Sequence, residues 1–190
     1  EARVRVAVVG KGVTFDSGGL CIKSRENIKT MKHDKSGACV MLGVMKAVAE
    51  LKLPVEVHGI AGVVENMPDG GAYRPDDIIR AMNGKTIEVS NTDAEGRLTL
   101  ADVLTFASKL EPDVIIDVAT LTGAAVAALG KYTAALLCDD EKLSGALEKV
   151  SRRAGERLHR FAMDDLYLRE GLNAVHADLR QGSPDGGGTI

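Results

Sequence analysis

The chain has 190 residues, 45% of them hydrophobic, and 24 Lys and Arg against 27 Asp and Glu give a formal net charge of −3. That length and apolar content suffice for one packed globular domain and exclude a disordered or fibrous chain. Basic residues are interspersed with acidic ones and form no evident basic face, so nucleic acid is not an expected partner; small molecules or peptides are.

Short β-branched runs alternate with longer segments of helical period, which predicts an α/β domain. In chain order, Val4–Val9 reads as a strand and Ser36–Leu51 as a helix whose Val40, Met41, Val44, Met45, Val48 and Leu51 form a wide apolar stripe. Val55–Val64 and Thr86–Val89 read as strands, Leu98–Leu110 as a helix, Val114–Val118 and Thr133–Leu137 as strands, and Lys142–Leu158 as a helix. The expected architecture is a mixed, largely parallel sheet flanked by helices, with the active site at the carboxyl ends of the strands. The stretch from Gly182 to Gly188 reads either as a flexible tail or as the approach to further elements. The start at Glu1 is neither a signal peptide nor an initiator methionine, so the sequence reads as a piece of a longer protein. No apolar run reaches membrane-spanning length. Cys21, Cys39 and Cys138 are odd in number and set in apolar stretches, which predicts free thiols and a reducing, cytoplasmic location.

The unusual residues gather after strands. Asp93 and Glu95 lie two apart before a helix, where two carboxylates repel unless a cation lies between them; alone, the pair is better explained by a capping turn. Arg97 beside them suits an ion pair or an anion site. In Gly10-Lys11-Gly12-Val13-Thr14-Phe15-Asp16-Ser17-Gly18-Gly19 the glycine spacing fits neither a dinucleotide fingerprint nor a P-loop. The glycines would instead fold the chain tightly around Lys11 and Asp16. Lys23 and Asp34 complete the set, although a single Asp before a helix is also an ordinary N-cap. His33, His58, His159 and His176 are scattered, which disfavours a histidine-rich zinc site. Carboxylate ligation without histidine suits Mg²⁺, Mn²⁺ or Zn²⁺.

The run Asn91-Thr92-Asp93-Ala94-Glu95-Gly96-Arg97-Leu98 resembles the signature of the leucine aminopeptidases, the M17 peptidases. The resemblance extends to the Gly10–Gly19 run, to Met31-Lys32 with Asp34, to Glu65-Asn66-Met67-Pro68, to Tyr73-Arg74-Pro75 and to the run Asp117–Ala124, and it thins beyond Lys131. It implies a two-metal aminopeptidase acting on peptides with an N-terminal leucine or other apolar residue, and residues 1–190 as its catalytic domain, without the N-terminal domain and without a last helix and strand. Lys11, Asp16, Asp34, Asp93 and Glu95 match the metal ligands, with Asp16 and Glu95 bridging. Lys23 and Arg97 match the catalytic residues, Arg97 holding bicarbonate as general base. Met31, Thr120, Leu121 and Gly123 match substrate-binding positions. A lysine ligand must coordinate as the neutral amine, so its pKa must be strongly depressed by the metal. The resemblance further implies a hexamer for the full-length protein. Two readings compete with it: a binding or regulatory domain, since some members of the family bind DNA, and a metal-dependent phosphoesterase. The complete ligand set disfavours the first, and the few cations at the site disfavour the second.

Overall fold

The computed structural model describes residues 4–163 and 170–182. These form two compact units, one reaching to Thr120 and taking in Ala174–Gln181, the other beginning at Leu121.

The first unit is built on a parallel three-stranded sheet in the order β2-β1-β5, from β1 (Arg5–Asp16), β2 (Glu56–Asn66) and β5 (Val114–Val118). Ala7 and Val9 of β1 are fully buried and pack with Leu100 and Ala107 of helix α2 (Glu95–Ser108), joined by Ile60, Val103, Leu104 and Ile115. Residues of the other parity meet α1 (Ser36–Leu51): a side chain at Gly10 would lie 2.6 Å from the Ala38 backbone, and one at Gly59 would strike Met41 and Met45. The sheet is thus covered on both faces, as parallel sheets require. A side chain at Gly37, at the start of α1, would stand 1.9 Å from the Val118 carbonyl oxygen. Only glycine permits that approach.

This corrects one expectation. Gly10-Lys11-Gly12 is not a turn after the first strand but its interior, paired with Ala61, Gly62 and Val63. The glycines serve the close approach of α1, while Lys11 points to the opposite face. Between Val13 and Asp16 the register with β2 shifts by one residue, so Asp16 pairs with Asn66. Side chains alternate along a strand, and one extra residue reverses the alternation. Asp16 therefore faces the same side as Lys11 despite the odd spacing.

A small second sheet in this unit, β3-β4-β8, pairs Ile78–Arg80 antiparallel with Thr86–Glu88, and the latter parallel with Leu179–Arg180. β3 and β8 are too short to leave a pattern and went unanticipated. The second unit contains α3 (Gly123–Leu129), the parallel pair β6 (Ala134–Leu136) and β7 (Leu158–Arg160), and α4 (Glu141–Ala154). Asp140 caps α4 by accepting from the Lys142 and Leu143 amides, and Gly155 closes it in the left-handed conformation. The expected helix to Leu158 stops there. From Ser183 onward, the glycine-rich stretch lies outside the described residues.

Candidate metal centre

Four carboxylates and two lysines meet at the carboxyl ends of β1, β2 and β5. The Lys11 ammonium is 2% exposed and lies 2.8 Å from both Asp34 oxygens, 2.9 Å from Glu95 Oε1 and 3.0 Å from the Thr120 carbonyl oxygen. Asp34 sits in a single 3₁₀ turn, Met31–Lys35, and its Oδ1 also accepts from Thr120 Oγ1 at 2.7 Å. It caps no helix: Lys35 holds the N-cap position of α1, without a side-chain cap. Lys23 Nζ bridges Asp16 Oδ2 at 2.8 Å and Asp93 Oδ1 at 2.5 Å. One oxygen each from Asp16, Asp34 and Glu95, all buried, lie within 4.8 Å of one another.

The loop carrying Asp93 and Glu95 is held from several sides. Asn91 Oδ1 caps the short turn Thr92–Ala94 by accepting from the Asp93 amide, and Asp93 itself is free of that duty. Gln181, next to β8, accepts from the Ser90 and Asn91 amides through Oε1 and donates through Nε2 to the Ala94 carbonyl. Its own carbonyl accepts from Arg97 Nη1 at 2.9 Å. Tyr73 Oη and Asn66 Nδ2 both donate to the Thr92 carbonyl. After Asp16 the chain turns at Gly18 (φ 90°), whose amide donates to Asp16 Oδ1 at 2.9 Å. Asn66 and Tyr73 lie in runs that carry the family resemblance but were given no role there, and Gln181 was not singled out in the sequence at all.

Burial raises the pKa of Glu95, partly offset by the Lys11 charge, and burial raises that of Asp93, partly offset by Lys23. Burial alone would lower Lys23, but Asp16 and Asp93 outweigh it and hold the ammonium above its ordinary value. Burial lowers Arg97. Four carboxylates stand against two ammonium groups at the centre. Asp34 Oδ2 and Asp93 Oδ1 are sealed from solvent and accept no well-formed hydrogen bond, although a lysine stands against each. Oxygens that are crowded by charge yet poorly served by directed donors suit a metal ion, whose attraction is less directional.

Met31 opens the 3₁₀ turn beside Asp34 and is half-buried; Thr120 ends the first unit in contact with Lys11 and Asp34. Leu121, exposed, and Gly123, which opens α3, belong to the second unit. His33 is exposed, with Nδ1 against the Thr30 carbonyl.

An acidic centre that fits metal binding, set at the carboxyl ends of a parallel sheet, marks an α/β protein of the metal-centre type. The chain belongs to the cytosol aminopeptidase family: the model of that family's catalytic domain matches residues 1–190. It is 56% identical over 190 residues to a "Probable cytosol aminopeptidase" of Aquifex aeolicus, covering all of this chain and 38% of that protein. Against the protein of the same name from Persephonella marina it is 56% identical over 179 residues, covering 94% of this chain and 36% of the relative. A solved structure, "Bottromycin maturation enzyme BotP", superposes with a TM-score of 0.92 at 44% identity, over 99% of this chain and 40% of its own. The chain thus spans well under half the length of these relatives.

Proposed function

We propose that this chain is the catalytic part of a two-metal aminopeptidase that removes an N-terminal leucine or other apolar residue from peptides. Lys11, Asp16, Asp34, Asp93 and Glu95 would hold the two divalent ions, with Asp16 and Glu95 shared between them. The observation that carries this reading is the cluster of buried Asp16, Asp34 and Glu95 oxygens within 4.8 Å of one another, joined by Lys11. Mn²⁺ or Zn²⁺ suits the mixed amine and carboxylate set, and Mg²⁺ suits its oxygens. When bound, such a pair supplies hydroxide near neutral pH and polarises a scissile carbonyl.

The chain's own groups supply the rest. Lys23, kept charged by Asp16 and Asp93, is a donor for the developing oxyanion. Arg97 is anchored by one nitrogen to the Gln181 carbonyl, and its other donors would hold bicarbonate as the general base. Met31, Thr120, Leu121 and Gly123 would line the substrate cleft. A cytoplasmic hexamer is the assembly proposed for the full-length protein. Among the described residues, no helix is long and apolar enough to cross a membrane.

The test is hydrolysis of leucine p-nitroanilide by the full-length protein. Chelation should remove activity, Mn²⁺ or Zn²⁺ should restore it, and Lys11→Ala or Asp93→Ala should abolish it; full activity in either variant would sink the assignment.

A further inference from the structure

Asn66 closes β2, is 4% exposed, and pairs with Asp16 across the ladder at the point where the register shifts. Its carbonyl accepts from the Ser17 amide at 2.9 Å and from Ser17 Oγ at 2.7 Å, which fixes the backbone. Its Nδ2 faces three oxygens: Asp16 Oδ1 and the Thr92 carbonyl, both at 2.9 Å, and Glu95 Oε2 at 3.4 Å. The reverse orientation of the amide would set Oδ1 against all three, so these contacts define which atom is nitrogen. The remaining oxygens of the same carboxylates go to lysines, Asp16 Oδ2 to Lys23 and Glu95 Oε1 to Lys11.

From this geometry we infer that Asn66 is a positioning residue that fixes the separation and orientation of Asp16 and Glu95, the two carboxylates proposed to be shared between the metal ions. The inference rests on the two-metal reading above. Among the described residues, Asn66 is the neutral side chain that donates to both groups. An amide holds them without adding a charge that would compete with a cation. A lysine ammonium holds the same carboxylates through a charge that opposes an entering cation.

The experiment is Mn²⁺ titration of the full-length protein, with electron paramagnetic resonance to distinguish an exchange-coupled pair from isolated ions. Asn66→Ala should weaken Mn²⁺ binding by about 10–100-fold and replace the pair signal with that of isolated ions. Asn66→Ser, which keeps one donor at shorter reach, should fall between, and it carries the test if the alanine variant does not fold. Unchanged affinity and an unchanged pair signal in the variants overturn the inference, even if stability drops, because Asn66 would then only anchor Thr92. A wild-type protein that shows no coupled pair overturns the two-metal reading first, and this inference with it.

Discussion

At the level of single residues, the centre is an arrangement of buried charges that offset one another incompletely. Lys11, Asp16, Asp34 and Glu95 are each no more than 6% exposed, and ions so deeply placed persist only when paired. The offset has a consequence for pH. Because burial raises Glu95 and Asp93, the folded metal-free protein retains protons there that the unfolded chain has released. Their contribution is therefore favourable at low pH and is lost as pH rises from the unfolded carboxylate value through the raised folded one. Denaturant midpoints of the metal-free, full-length protein, followed upward in pH from the ordinary carboxylate value, should show this loss. Glu95→Gln should flatten the slope, as should saturating Mn²⁺; an equal slope in the variant would contradict the account. The sequence displays these charged residues plainly, but each alone reads as a cap or a turn, and they are legible as a set through the runs that resemble the M17 signature. Gln181 was not, and Asn66 and Tyr73 entered only as members of the resembling runs Glu65–Pro68 and Tyr73–Pro75, with no role attached. Gln181 touches the loop from about 90 residues away in the chain, and nothing local announces such a contact.

Among the elements, what the sequence shows least well is where backbones touch. The helix Ser36–Leu51 and the strand Val114–Val118 are read at their true bounds because apolar periodicity and β-branched runs report burial directly. β1 is read too short, since glycines signal turns locally, whereas here they answer to a helix arriving from elsewhere. α2 starts at Glu95 rather than Leu98 for a related reason: its first turn is polar on account of the site, not the core. The contact of α1 with β5 gives a sharp test. Gly37→Ala forces a methyl into the Val118 carbonyl, a backbone atom that cannot rotate away, so the variant should lose about 3 kcal/mol in chemical denaturation. A loss below about 0.5 kcal/mol, the scale of neutral surface changes, would show that the helix can withdraw freely.

Over the whole molecule, the two lysines bear on how folding would relate to the metals proposed above. Many metal sites are bare clusters of like charge that fold only around their ion, so a chelator unfolds the protein. Here Lys11 lies against Asp34 and Glu95, and Lys23 against Asp16 and Asp93. The protein carries its own counter-ions. The far-ultraviolet circular dichroism of the full-length protein should therefore persist after exhaustive chelation while the proposed peptidase activity disappears, and collapse of the spectrum on chelation would refute this. Loading then becomes an ion exchange in a finished scaffold: an entering metal that takes the Lys11 nitrogen as a ligand must evict a proton, so uptake should acidify a weakly buffered solution. On the proposed two-metal reading, such a protein could be synthesised where metal is scarce and wait, folded and silent, until the ion arrives.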